Sequence, residues 1–120
     1  MNCYVLWTAF ESMTASPTMI YAVNNRKVVE VNPVTEIPRL SSTVFTAKSE
    51  IAYADGAVIV ANGTQLFRVD LSTLASTGSP APGTGPIRGM VGWGSRIYLM
   101  SGSCYYEIVP STLAATQIGC

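Results

Sequence analysis

Apolar residues fall into three short runs that recur along this chain at nearly constant spacing. The runs occupy residues 19–23, 57–61 and 96–100, so successive copies begin 38 and then 39 residues apart. Each run is followed by a turn containing Asn or Gly and then by a second strand-like segment. A period of this length is typical of stacked supersecondary units, whose apolar faces are buried against their neighbours. The repeat predicts one domain, residues 1–120, built as an array of small units.

Turn signals divide each unit into short strands. Asp55-Gly56 and Asn62-Gly63 predict two-residue hairpin turns, because these residues tolerate the positive φ that such turns require. The same plan in the other units predicts four antiparallel strands in each, with unit boundaries at about 1–48, 49–86 and 87–120. Frequent Pro, Gly and β-branched residues disfavour helix. In the first unit the expected strands are residues 4–8, 18–23, 27–31 and 42–47.

The central strand of each unit does not alternate between polar and apolar residues, as a sheet with one solvated face would. Residues 57–61, for example, read Ala-Val-Ile-Val-Ala. Such runs indicate that both faces of the strand are covered. Small sheets packed radially against their neighbours meet this requirement, so we expect an all-β fold.

The chain resembles β-propeller proteins whose blades read as an apolar strand, a Gly or Asn turn, and a strand ending in Val-Asp or a similar pair. The resemblance lies in Val28–Pro33, Leu66–Thr73 and Tyr105–Thr112, and neither a Trp-Asp pair nor a Gly-Gly doublet is present. It implies three four-stranded propeller-like blades. A fainter resemblance, through residues 65–70 and 83–87, is to propeller-containing tail proteins of short-tailed phages.

Three blades are fewer than the four to eight of a closed propeller, so the resemblance implies an incomplete ring with two apolar flanks. A head-to-tail pair of copies would close it, since a heterologous contact that closes gives a cyclic oligomer. Alternatively, another protein completes a larger propeller or shell. A compact sandwich or barrel built from similar hairpins is the third alternative.

Composition adds two alternatives for the surface. Hydrophobic residues make up 48% of the chain and charged residues only 12%, about half the usual share. Either much of the surface faces protein, or a surface rich in Ser, Thr, Gly and Asn keeps the chain soluble without charge. Seven basic and seven acidic residues cancel, so we expect no nucleic-acid partner.

No apolar run is long enough for a membrane span, and we expect no insertion into a membrane. The first 18 residues lack a basic segment and contain Glu11, so a secretory leader is not expected. The location stays open between a virion and the cytoplasm.

The chain has no histidine, which removes the usual general base and the commonest metal ligand. Its carboxylates are widely dispersed, and Asp55 and Asp70 fit turns better than acid–base chemistry. The glycine-rich segment 83–86 is not followed by a predicted helix that could hold a phosphate. We therefore expect no catalytic residues, no metal, no cofactor and no enzymatic activity.

Two cysteines lie symmetrically about a predicted hairpin turn. Cys104 and Cys120 are each eight residues from Thr112, so they could be cross-strand neighbours joined by a disulfide. The alternative is a pair of buried free thiols in a reducing compartment, which we favour.

Three aromatic residues are the candidates for contact with a ligand or partner. Trp93 lies between two glycines at a predicted loop tip, where it could stack on a sugar, fill a partner's pocket, or pack over its own blade. Tyr105 and Tyr106 are adjacent on one strand and so face opposite sides, which places one of them toward a neighbouring blade.

These observations predict a non-enzymatic structural or interaction module that assembles with copies of itself or with other structural proteins. A virion or tail component is one version of this hypothesis. The alternative is a lectin that binds carbohydrate at shallow sites between blades.

Overall fold

The computed structural model describes residues 10–47, 49–82 and 87–120. Over these residues the chain is all-β, with three four-stranded antiparallel sheets and no helix. Strands that are consecutive in the chain are neighbours in each sheet, so every sheet is a meander joined by short turns. The all-β class with three four-stranded antiparallel units, predicted from the repeat, is therefore confirmed.

The strands of each sheet follow the order of the chain. The first sheet consists of β1 (Phe10–Ala15), β2 (Ile20–Asn24), β3 (Lys27–Val31) and β4 (Pro38–Leu40). The second consists of β5 (Ser49–Ala54), β6 (Ala57–Asn62), β7 (Gln65–Val69) and β8 (Ser76–Pro80). The third consists of β9 (Ile87–Trp93), β10 (Arg96–Ser101), β11 (Cys104–Ile108) and β12 (Ala115–Gly119).

Two strands predicted for the first unit need correction. The prediction at residues 4–8 lies outside the described residues, and the strand paired with β2 is Phe10–Ala15. The prediction at 42–47 is wrong, because the edge position is taken by Pro38–Leu40. An edge strand tolerates the missing N–H of Pro38, and Phe45 turns into the core instead.

The turn between the third and fourth strands of each sheet has one shape in all three. In the second sheet, the Asp70 carboxylate accepts a hydrogen bond from the Ser72 backbone N–H at 2.8 Å and so supports the turn. In each sheet the turn ends at a residue with positive φ. These residues are Glu36, Leu74 and Leu113, with φ of 61°, 63° and 61° in the first, second and third sheets. The strained conformation directs Leu74 into the core against the first sheet and Leu113 against the core of the second.

Two apolar clusters hold the sheets face to face. We call the face that a sheet turns toward the next sheet along the chain its front, and the opposite face its back. The first cluster joins the front of the first sheet, through Tyr21 and Val23, to the back of the second, through Val58 and Val60. The second cluster joins the front of the second sheet to the back of the third, which includes Ile97. All of β6 is buried because it is covered on both faces.

The first strands of the sheets meet along a common line. The free edge of β5 would expose unpaired N–H groups, but side chains of β1 accept hydrogen bonds from them. These bonds join the N–H groups of Ser49, Ile51 and Tyr53 to side-chain oxygens of Glu11, Ser12 and Thr14, at 2.8, 3.2 and 3.2 Å respectively. On the other side, Gly92 of β9 lies directly against the backbone carbonyl of Tyr53.

We expected both outer faces of the stack to be open, and both expose apolar side chains. At the back of the first sheet, Ala22 and Val29 of the central strands are 0% exposed, but their cross-strand neighbours Met13 and Leu40 are 56% and 48% exposed. At the front of the third sheet, Tyr98 and Met100 of the central strand β10 are only half-buried.

Candidate functional site: the open face of the third sheet

The front of the third sheet forms a continuous apolar surface, which we call the open face. Val91, Tyr105 and Ile118 are exposed there by 59%, 48% and 57%. Together with Tyr98 and Met100 they line a shallow depression of about 320 Å³. Exposed apolar patches with polar rims mark interaction sites more often than inert surface.

The aromatic residues proposed from the sequence are divided between the two faces. Trp93 ends β9 with 75% of its surface exposed, and its ring centroid lies 6.3 Å from that of Tyr98, at the edge of the open face. Tyr105 lies on the open face itself. Tyr106 points the other way and packs against the core between the second and third sheets. The structure thus brings Trp93 and Tyr105 to the same surface and not Tyr106.

A small polar network lies on the open face beside these rings. The Tyr98 hydroxyl donates to Glu107 Oε2 at 3.3 Å, and Arg96 Nε lies 3.6 Å from Glu107 Oε1. Desolvation raises the pKa of the Tyr98 phenol, and the Glu107 carboxylate adds to this effect. Sequence reasoning did not identify these three residues as part of a site.

The same Tyr–Glu pair occurs at the equivalent place on the front of the first sheet. Tyr21 precedes Tyr98 by 77 residues, and Glu30 precedes Glu107 by the same number. The Tyr21 hydroxyl donates to Glu30 Oε2 at 2.9 Å, but here the pair is buried, with 3% and 7% of each residue exposed. The repeat in the sequence therefore already aligns Tyr98 and Glu107 with Tyr21 and Glu30, and it is the signal by which the pair on the open face could have been found.

Both residues of this buried pair have pKa values shifted from their ordinary ones. Desolvation, with a further contribution from the hydrogen bond to Glu30, raises the pKa of Tyr21 to about 12. The hydrogen bond from Arg39 Nε, at 2.8 Å, is the main cause that lowers the pKa of Glu30. A buried carboxylate remains ionised only where hydrogen-bond donors or opposite charges replace its lost hydration.

Arg39 also connects the first sheet to the second. Its two terminal nitrogens donate to the carbonyls of Leu71 and Ser72, at 2.7 and 2.9 Å, in the turn that follows β7. The front of the first sheet is therefore covered by the second sheet. Its apolar side chains, the Tyr21–Glu30 pair and Arg39 all lie in this contact.

The contact between the second and third sheets lacks this arginine. By strand register, Thr77 occupies the place of Arg39 and Arg68 the place of Glu30. A polar groove of about 690 Å³ lies there, lined also by Asp70, Ser111 and Thr112. The part of the groove beside Thr77 and Ser111 corresponds in position to the place where Arg39 contacts Ser72 one sheet earlier.

The two C-terminal cysteines are joined. The structure links Cys104, at the start of β11, to Cys120, just beyond β12, by a disulfide. Cys104 is half-buried and Cys120 exposed, so the favoured interpretation as buried free thiols is not what the structure contains. The link fixes the edge strand of the open face.

The described part of the chain lacks two other features that would indicate a function. Across residues 10–47, 49–82 and 87–120, no three His, Cys, Asp or Glu side chains are grouped closely enough to hold a metal ion. Nor do those residues contain a helix with the length and apolar character needed to cross a membrane.

Comparison with known proteins gives a fold and no family. No family model matches the chain, and no curated protein matches it. Among solved structures it is similar to the crystal structure of Myxococcus xanthus glutaminyl cyclase, with a TM-score of 0.61 and 15% sequence identity. The match covers 88% of this chain and 51% of that chain, so this chain spans about half the length of the cyclase.

The predicted resemblance to β-propeller blade-repeat proteins, and to phage tail proteins, is therefore wrong as a family assignment. No family model supports it, the similarity found is to a glutaminyl cyclase, and the three sheets form no closed ring within the described residues. An apolar strand, a tight turn and a strand ending in Asp or Asn are what any short antiparallel meander requires, so this pattern does not identify a family.

The prediction that the protein is not an enzyme is corrected by the same comparison. A solved structure that shares its fold is that of an enzyme, a glutaminyl cyclase. At 15% identity the likeness establishes the fold alone and assigns no active-site residue in this chain.

Proposed function

We propose that this protein is an assembly module that docks its open face against another β-sheet. One observation carries the proposal: the Tyr–Glu pair that the second sheet covers at Tyr21 and Glu30 is repeated, uncovered, at Tyr98 and Glu107. The third sheet is built like the first, but among the described residues no further sheet packs on its front.

The energy available from covering this face supports association. A four-stranded sheet with five residues per strand offers of order 500 Å² of accessible surface. Covering it contributes roughly 12 kcal/mol gross at 25 cal/mol per Å². Association costs about 4–15 kcal/mol in lost freedom, so the net affinity is moderate and the complex reversible.

The likeness to the glutaminyl cyclase fits this proposal. About half of that chain lies outside the matched region, so the same fold occurs there with as much polypeptide again.

Substitution of one exposed valine tests the proposal. Val91→Asp places a charge in the middle of the open face, where burial against an apolar sheet would desolvate it. Val34 is 88% exposed in a turn of the first sheet, away from the open face, so Val34→Asp is the matched control. We expect light scattering to show association for the unmodified chain and the control, and a monomer for Val91→Asp. A monomeric unmodified chain, or association that survives Val91→Asp, would argue against the proposal.

Binding of carbohydrate is the second candidate function, and the groove between the second and third sheets favours it. Arg68, Asp70, Thr77 and Ser111 supply opposite charges and hydroxyls, the groups that recognise neutral sugars. Calorimetric titration with a panel of mono- and oligosaccharides tests this candidate. Stoichiometric binding that Arg68→Ala weakens and Val91→Asp does not would support it, while no heat with any sugar would remove it.

A further inference from the structure

We propose that the groove between the second and third sheets binds the carboxylate of an acidic sugar, and that Arg68 is the residue that holds this carboxylate. The inference rests on the carbohydrate alternative above, and it selects acidic over neutral sugars. It involves no residue of the open face, so its failure leaves the proposed docking of that face untouched.

The contact between the first and second sheets shows which kind of group lies at this position. In the first sheet Glu30 and Arg39 are cross-strand neighbours. Arg39 joins the Glu30 carboxylate to the backbone carbonyls of Leu71 and Ser72 in the turn of the next sheet. One charged group thus bridges the two sheets. It is a cation because both of its partners are acceptors.

The contact between the second and third sheets has the opposite charge and lacks a bridge. On the front of the second sheet, Arg68 takes the place of Glu30, and its cross-strand neighbour is Thr77 instead of an arginine. The turn of the third sheet brings Ser111 to the same groove. None of the salt bridges among the described residues includes Arg68. The group that fits between a guanidinium and a hydroxyl is an anion, because it accepts hydrogen bonds from both.

The charge of the groove favours a carboxylate over phosphate as this anion. The planar guanidinium of Arg68 matches either group with two parallel hydrogen bonds. Asp70 also lines the groove, and hydrogen bonds from Ser72, that from its hydroxyl first, lower the pKa of the Asp70 carboxyl. Asp70 is therefore fully charged at neutral pH. Its charge repels a phosphate dianion more strongly than a singly charged carboxylate.

The remaining polar groups of the groove favour a sugar as the carrier of the carboxylate. The Ser72 backbone N–H and hydroxyl donate to Asp70 Oδ1 at 2.8 and 2.6 Å, so Oδ2 can accept a hydrogen bond from a ligand hydroxyl. Thr77 and Ser111 are exposed in the groove, and their hydroxyls can donate or accept. A uronic acid carries one carboxylate and several hydroxyls on one ring. The volume of about 690 Å³ is in the range of small-molecule sites.

Glucuronate and glucose test the inference as a matched pair, because they differ only in the carboxylate or hydroxymethyl group on the ring. Titration of each sugar into the ¹⁵N-labelled chain, followed by NMR, measures weak binding residue by residue. We expect glucuronate to bind at least about 10-fold more tightly than glucose, because hydrogen bonds to charged groups are the stronger ones. The largest shift changes should occur at Arg68, Thr77 and Ser111, and the affinity should fall as salt is added.

Variants of the groove identify the residue that holds the carboxylate. Arg68→Gln should reduce the affinity for glucuronate to that for glucose, and Arg68→Lys should give an intermediate value, because it keeps the charge but loses the planar fork. Arg88 is an exposed arginine of β9 outside the groove that donates to the Gly102 carbonyl, so Arg88→Gln is the matched control and should bind as the unmodified chain does. Ser111→Ala, on the opposite sheet, should weaken binding by about 3- to 10-fold. It keeps the test valid if a change at Arg68 prevents folding, which the NMR spectrum of the free chain would reveal.

The outcomes separate this inference from the carbohydrate alternative and from the docking of the open face. Glucuronate and glucose that bind equally would overturn the choice of acidic sugars and leave a site for neutral ones. Acetate or inorganic phosphate that binds as tightly as glucuronate would overturn the sugar as the carrier of the charge. Absence of binding by either sugar would overturn both this inference and the carbohydrate alternative, while light scattering of the open-face variants would still decide the docking.

Discussion

Gly92 offers the sharpest test of how the second and third sheets are joined. This residue lies in β9 opposite Ile97, at the point where β9 meets the carbonyl of Tyr53 in β5. A Cβ atom at position 92 would overlap that carbonyl oxygen, and Ala54 Cβ lies 3.5 Å away on the same side. The obstacle is backbone, which no change of rotamer can move, so Gly92→Ala must push β9 away from β5.

The cost of this displacement follows from the packing around it. Ile97 and Ala54 are buried in the core between the second and third sheets, so separating the strands removes dispersion contacts on both sides. Overpacking in a well-packed core costs about 1–3 kcal/mol. We place Gly92→Ala at about 2–3 kcal/mol, which lowers the melting temperature by about 10 °C for a domain of this size.

Gly89 of the same strand is the matched control. A Cβ atom at position 89 meets no atom within 4 Å, and the backbone there does not need glycine. Gly89→Ala should therefore leave the free energy of unfolding unchanged, or raise it by about 0.5 kcal/mol through the reduced entropy of the unfolded chain. Urea unfolding followed by tryptophan fluorescence measures both variants. Equal stability of the two would refute the close approach of β9 to β5.

Two further predictions concern the buried network and the groove. Burial raises the pKa of Tyr21 to about 12, and the Arg39 hydrogen bond lowers the pKa of Glu30. The free energy of unfolding should therefore fall as acid protonates Glu30. It should fall again between pH 10 and about 12 as Tyr21 ionises. Urea midpoints across pH measure both losses, and an alkaline loss that Tyr21→Phe leaves unchanged would exclude the second. Arg68→Glu with Thr77→Arg should rebuild the Glu30–Arg39 contact in the groove and raise stability by about 1 kcal/mol; a double variant that gains no more than the sum of its single variants would contradict this.

The sequence predicted the parts of the fold that local chemistry decides. Asp55-Gly56 is the turn before β6, and both residues have the positive φ that a two-residue hairpin needs. The turn after β6 was predicted one residue too early: Asn62 belongs to the strand and pairs with Gln65, so the turn is Gly63-Thr64, with the positive φ at Gly63. The apolar run of β6 indicated a strand covered on both faces, and the structure buries it on both. The fourth strand of the first sheet was misplaced: it is Pro38–Leu40, where Arg39 pairs with Glu30 across β3 and β4, a cross-strand contact that the apolar pattern does not show.

The candidate site was predictable only in part. Of the three aromatic candidates, Trp93 and Tyr105 lie at the open face, whereas Tyr106 packs against the core between the second and third sheets. The charged residues looked dispersed, because Glu107 and Arg96 come together only through cross-strand register.

Sedimentation equilibrium of the unmodified chain over a range of concentrations is the most direct test of whether the third sheet is completed by another molecule. We expect a mass that rises reversibly above 12.8 kDa as the concentration increases. A mass that stays at 12.8 kDa at every concentration and salt would contradict it.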